Sequence, residues 1–442
     1  MDIQLSDHFT TKKLLRFTLP SIAMMVFTSI YGVVDGFFVS NFAGKTPFAA
    51  VNFIMPFMMM LGALGFMFGT GGSALVAKTL GEGNHEKANR TFSLLVFVSL
   101  GRGIFISVLG FFVLRPISAW LGAEGALLDN CVTYGRFLLI SLPFYILQLE
   151  FQSFYVAAEK PQLGLRVTVI AGVTNIVLDA LFVAVFHWGL VGAAVATMIS
   201  EITSGMVSLV YFARPNDSLL RITKPRFDGR ALLKTCTNGS SELLSNVSMS
   251  LVGMLYNVQL MKYAGENGVA AYGVLMYVNF VFISIFIGFT VGTAPLISFN
   301  YGAQNHAELR NLLKKSLLLL SGTSVVMLLL GQVLARPLSQ LFVGYDPELW
   351  ALTARGFSIF SFSFLFAGLA IFGSAFFTAL NNGAISALVS FLRTLVFQLA
   401  AVFLLPLWLD IDGIWLSVVV AELASALFSL TFIKALQKHY HY

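Results

Sequence analysis

Twelve apolar stretches follow one another along the 442 residues, most of them longer than the roughly 20 residues a helix needs to cross a bilayer. Their approximate bounds are 14–41, 47–77, 91–114, 127–158, 163–186, 190–213, 230–261, 268–299, 312–334, 349–380, 384–408 and 413–435. Within hydrocarbon every backbone N–H and C=O needs an internal partner, so such runs are expected to be helices. The composition agrees, with 57% hydrophobic and only 11% charged residues and a mean hydropathy of +0.83. The expected fold class is an all-α polytopic membrane protein of twelve transmembrane helices. Runs well beyond 20 residues are expected to tilt, kink or protrude.

Basic residues set the orientation. Nineteen Lys and Arg fall in connections on the N-terminal side and five on the opposite side, while Arg102, Arg136 and Arg393 lie inside spans. Both termini are therefore expected to be cytoplasmic, in a multi-pass protein of the plasma (inner) membrane. The net charge of +6 then reflects membrane topology and not a nucleic-acid patch. The polar first dozen residues and the lack of a small-residue cleavage site predict no cleavable signal peptide. Cys131 and Cys236 lack metal-ligand spacing and read as core residues.

The chain repeats itself at an offset of 221 residues. "GEGNH" at 81–85 answers "GAQNH" at 302–306, and "RPIS" at 115–118 answers "RPLS" at 336–339. The same register pairs Gly135 with Gly356, Ser153 with Ser374, Gly192 with Gly413 and Glu201 with Glu422. Six spans per half is an even number, so the halves share one orientation, as two pseudo-symmetric six-helix bundles. The expected division is an N-terminal lobe over 1–213, a cytoplasmic linker over 214–230 and a C-terminal lobe over 231–442. Two such bundles suit a carrier that opens a central cavity to each side in turn.

Charges inside the spans point to chemistry, because an ionisable group near the bilayer centre costs roughly 2.5–3.5 kcal/mol and faces protein or water. Asp35, Glu150, Asp179, Glu201, Glu242 and Glu422 are the embedded acids. Asn175 and Asp179 are four apart and share one helix face. Counting 1.5 Å per residue from the outer turns puts Asp35, Asp179 and Thr197 at a common depth of about 12 Å, with Glu201 one turn deeper. Two carboxylates, an amide and a hydroxyl at one level would hold a small hard cation such as Na+ or share a proton and titrate as a unit. The simpler alternative pairs Glu150, Glu201 or Glu422 with Arg102, Arg136 or Arg393. In the second half the equivalent positions are Tyr256, Val396, Ala400 and Val418, so the acidic cluster belongs to the first half alone.

These residues resemble those of multidrug and toxic compound extrusion (MATE) transporters, in the branch with an acidic ion site in the N-terminal lobe (DinF-like). The motifs are "VVDGFFV" around Asp35, "NIVLD" at 175–179, "GAAVAT" at 192–197 and "GTAPLISFNYGA" at 292–303. The resemblance implies the two-lobe MATE/MOP-type fold and export of organic cationic or amphipathic compounds, driven by inward H+ or Na+. It implies that Asp35, Asn175, Asp179 and Thr197 bind the coupling ion. The branch with acids in the C-terminal lobe is disfavoured, since no acid occupies the middle of the tenth span.

Tyr31, Glu150, Glu201, Glu242, Tyr256 and Asn257 are the candidate cavity residues, and the Met- and Phe-rich "MPFMMMLGALGFMFG" at 55–69 could supply thioethers and rings to flat cations. Pro20, Pro56, Pro143 and Pro295 fall inside spans and are expected to bend them. "GTGG" at 69–72 is no phosphate loop, lacking a following Gly-Lys-Ser/Thr, and the "HYHY" tail at 439–442 reads as frayed. No nucleophile constellation points to an enzyme, and no cofactor beyond the coupling ion is expected. A monomer is the expected state. The competing expectations are a lipid-linked precursor flippase of the same superfamily, favoured by the three intramembrane arginines, and a channel.

Overall fold

The computed structural model describes residues 3–442 and is built of helices, joined by connections of a few residues except for the longer stretch 214–228. In chain order the helices are α1 (Thr11–Phe38, continued by a π-helical turn Val39–Ala43), α2 (Lys45–Gly81), α3 (His85–Trp120), α4 (Gly125–Ala157), α5 (Pro161–Asp179, continued by a π-helical turn Ala180–Val185) and α6 (Gly189–Ala213). Residues 214–228 carry no helix. The stretch Gly229–Gly302 is broken at Gly265 (φ 61°, ψ −151°) into α7 (229–264) and α8 (266–302). Then come α9 (His306–Val343), α10 (Pro347–Phe360 with Phe364–Ala379, joined by a 3-10 turn), α11 (Gly383–Phe391 and Phe397–Leu404, joined by a π turn Leu392–Val396) and α12 (Pro406–Ala435). Eleven continuous stretches are long and apolar enough to cross a membrane, and the break at Gly265 makes them twelve crossings among the described residues.

The repeat is written into the turns. Gly44 (φ 106°), between α1 and α2, is matched 221 residues on by Gly265, between α7 and α8. Gly83 (φ 80°) is matched by Gln304 (φ 54°), and Gly189 (φ 57°) by Asp410 (φ 49°), all in the left-handed region that glycine enters most readily. Asn84 caps α3 by accepting from Lys87 N–H, and Asn305 caps α9 by accepting from Glu308 N–H, each satisfying a donor that the helix leaves open. Pro20, Pro56, Pro143 and Pro295 all lie inside helices, and the chain turns between helices at Gly265 and Asp410.

The two halves meet along α1 with α8 and α2 with α7, on the face where both chain ends lie. Of the "GTGG" glycines, Gly71 serves this packing, since a Cβ there would stand only 2.3 Å from the Thr235 carbonyl of α7, while Gly69 serves packing within the first half, 3.1 Å from the Glu150 backbone of α4. Reciprocally, a Cβ at Gly239 would stand 1.9 Å from the Met67 carbonyl. Gly81 and Gly302 make the same approach where α2 and α8 end, to within 2.0 Å of Phe299 and Lys78 carbonyls. Residues before α1 tie this face further. Leu5 N–H donates to Glu159 Oε1 at 2.5 Å on one half, while Phe9 N–H donates to Glu308 Oε1 at 3.0 Å on the other. The tail differs from the expected frayed end. Tyr442 is buried and donates to the Ile433 carbonyl at 2.7 Å, and Tyr440 accepts from Asn382 at 2.6 Å.

On the opposite face the α7 side chains Met254, Val258 and Met261 are exposed. The interface is tight on the terminal face.

Replacing Gly239 by Ala puts a methyl group against the Met67 carbonyl and is expected to cost about 1–3 kcal/mol. Gly253→Ala on the same helix meets nothing within 4 Å and should stay within about 0.5 kcal/mol of the parent. Thermal unfolding midpoints in detergent compare the two; equal midpoints would contradict the close-contact reading.

Candidate functional site

Asp35 lies on α1 one turn before its π-helical continuation, and Asp179 is the last residue of α5 before a second π turn. Such turns interrupt the regular ladder and often mark functional positions. Both carboxylates are removed from solvent, Asp35 at 6% exposure and Asp179 at 0%. The Asp35 carboxyl faces Asp179, Thr197 and Asn175, which brings together on α1, α5 and α6 the three residues expected at one depth and the amide expected on the same face as Asp179. Asn175 Nδ2 donates to Thr197 Oγ1 at 3.4 Å, so its carbonyl oxygen is left over. That oxygen, Asp35 Oδ1 and both Asp179 oxygens have no hydrogen-bond partner. Neither aspartate enters an ion pair among the described residues. Four convergent oxygens in a low-dielectric enclosure are costly unless a proton or cation joins them.

Around this centre stand groups that the sequence reading did not single out. Tyr134 is fully buried and faces Asp35, Asp179, Glu201 and Thr197. Ser141 donates to Glu201 Oε2 at 2.5 Å, and Gln148 lies against Tyr31, which itself faces Glu201 and Asp35. Residues 134, 141 and 148 recur every seventh position of α4 and so share one face. That polar stripe in an apolar helix was the available signal.

Other expected residues are distributed differently. Glu150 is fully buried, with neither oxygen hydrogen-bonded; it faces Arg102 and Ser99. Tyr256 is buried, stacks on Tyr272 at 5.4 Å and donates to Gln398 Oε1 at 2.7 Å. Asn257 is exposed and Glu242 is half-buried on α7. The site of Asp35 and Asp179 therefore stands apart from the Tyr256 network, which belongs to the second half.

The arginines do not assemble into a cationic cavity. Arg393 makes a two-pronged pair with Glu422, Nε to Oε2 at 3.0 Å and Nη2 to Oε1 at 2.9 Å. Arg102 donates to the Leu64 carbonyl at 2.7 Å and to Ser99 at 3.2 Å, its guanidinium 3.6 Å from the centre of the Phe68 ring. Arg136 is exposed and lies over Phe111 at 5.8 Å. The expectation that arginines neutralise embedded acids holds for Glu422; Glu201 takes a serine hydroxyl instead. A phosphate-binding cavity of the flippase kind is disfavoured by this dispersal.

Residues 20–181 and 243–404 each match the protein-family model MatE, one copy per half. The multidrug export protein MepA of Staphylococcus haemolyticus is 25% identical over 428 residues, covering 96% of this chain and 94% of that protein. Among solved structures, the outward-facing conformation of a multidrug resistance MATE family transporter of the MOP superfamily superposes with a TM-score of 0.92 at 23% identity, covering 98% of each chain. A MOP superfamily transporter from Pyrococcus furiosus superposes at 0.90 with 22% identity and the same coverage.

Truncating one member of the Arg393–Glu422 pair leaves the other charge buried alone. Arg393→Leu is expected to destabilise the protein by about 3–5 kcal/mol, and Arg393→Leu with Glu422→Leu to recover most of that loss. Unfolding midpoints of the two variants would reveal a merely superficial pair if the single change were neutral.

Proposed function

The chain belongs to the MatE family of multidrug transporters, and from that premise we propose that it is a cation-coupled antiporter that exports organic cationic or amphipathic compounds by alternating access. The observation that carries the reading is the buried Asp35–Asp179 pair, without a basic partner and without a counterpart in the second half. Asp35, Asn175, Asp179 and Thr197 bind the coupling ion. A proton would be shared between the two carboxylates; Na+ would draw on both of them, the free Asn175 carbonyl and the Thr197 hydroxyl.

The lobes over 1–213 and 231–442 rock about the α1–α8 and α2–α7 contacts, with residues 214–230 as the cytoplasmic linker and both termini in the cytoplasm. Loading the site shifts the lobe equilibrium only through a difference in ion affinity between the two conformations. Driving the populations from 1:99 to 99:1 takes about a 10⁴-fold difference. Because Asp35 sits on α1, a helix that also packs on α8, ion binding acts on an element shared by site and interface. Tyr31, Glu201 and Glu242 direct a cationic substrate, and Met and Phe side chains supply apolar walls. One charge crossing about 100 mV provides roughly 2.3 kcal/mol, which cancels when one monovalent drug leaves for each monovalent cation that enters, so the concentration gradient or a higher ion ratio does the driving.

In proteoliposomes that carry a proton or a sodium gradient separately, ethidium efflux is expected to follow one gradient and to fall to the level of empty vesicles with Asp35→Asn or Asp179→Asn. Wild-type rates in both variants would falsify the assignment of the coupling site.

A further inference from the structure

On the terminal face a cleft of about 710 Å³ opens between the start of α3 and the junction of the linker with α7. One wall carries Lys87 and Arg90, the other Arg226 and Arg230. Two acids stand against these four cations. Glu86 pairs with Arg90, and Asp228 is occupied in capping α7, accepting from the backbone N–H of Arg230 at 3.0 Å and of Ala231 at 3.1 Å. Lys87, Arg226 and Arg230 enter no ion pair among the described residues. The balance is two positive charges, beside the N-terminus of a long helix whose dipole also favours an anion.

Beside these charges Phe227 and Leu233 line the same cleft and are 80% and 67% exposed. This is the level at which α3 and α7 leave the apolar layer, so large exposed side chains there meet acyl chains just below the headgroups. A free anion has no use for them, whereas a phospholipid presents both a phosphate and an apolar body.

We propose that this cleft binds the headgroup of an anionic phospholipid, with the phosphate between the Lys87–Arg90 wall and the Arg226–Arg230 wall and the chains over Phe227 and Leu233. One wall belongs to α3 of the first half, the other to the linker and the first turn of α7. The linker is itself pinned to α3: Asn89 Oδ1 accepts from Arg221 N–H at 2.6 Å, and Ser93 Oγ accepts from Thr223 N–H at 2.8 Å. A bound lipid therefore bridges the halves on the face where they are closed, and favours that arrangement.

Native mass spectrometry of the purified full chain, titrated with phosphatidylglycerol or phosphatidylcholine, tests this. Phosphatidylglycerol should bind in preference, and affinity should fall about five-fold for each cleft charge removed, on the order of 25-fold for Arg226→Gln with Arg230→Gln. Lys87→Gln repeats the test on the opposite wall, away from the α7 cap. Lys434→Gln with Lys438→Gln, basic residues outside the cleft, should leave binding unchanged. An equal loss in that control pair, absence of headgroup preference, or displacement of the lipid by millimolar inorganic phosphate overturns the proposal.

Discussion

The cost of holding charge where no water can reach it governs how this chain is arranged. A bilayer leaves the backbone no choice but helix, and it makes each embedded carboxylate a problem that must be answered locally. The second half answers with a base: Glu422 is held by both prongs of Arg393. The first half leaves Asp35 and Asp179 facing one another with unpartnered oxygens. The two halves descend from one pattern, yet one has become electrically quiet and the other has kept an unmet demand for positive charge. That difference leaves a symmetric pair of bundles electrostatically unequal, and under the proposed coupling the first half is the working side.

Geometry links the working side to the interface. Asp35 and the glycine-contacting residues Thr18, Ser21 and Ile22 lie on the same helix, α1. A change at the carboxylate is therefore a change on an element that the second half touches directly. Both aspartates adjoin π-helical turns, where the hydrogen-bond ladder is already interrupted and the chain can change its local winding at less expense than in regular helix.

Much of the fold was legible because it rests on pattern. Apolar length sets the twelve crossings, and the 221-residue register survives in the positive-φ turns at 44 and 265, 83 and 304, and 189 and 410. The grouping was readable because equal distance from the outer turns puts Asp35, Asp179 and Thr197 at equal depth, and the four-residue spacing puts Asn175 on the face of Asp179. What the sequence hid depends on how helices cross. Tyr134, Ser141 and Gln148 form a stripe on α4, but only the packing of α4 against α6 turns that stripe toward the acids. Tyr440 and Tyr442 were read as a loose end because an aromatic tail carries no sign of the socket that receives it.

The contact between the halves on the terminal face is made largely of main chain, with Gly71, Gly239, Gly81 and Gly302 leaving no side chain in between. An interface built from flexible side chains can loosen by degrees, each rotamer yielding a little. One built from backbone has no such give: carbonyls and α-carbons either touch or separate as rigid rods. Partial opening then lacks a stable geometry, and the barrier to stray ions on that side behaves as a switch with two positions. For a protein embedded in an energised membrane, that means its resistance to leak is set by the rigidity of a few bare stretches of helix, independently of how tightly it grips its cargo.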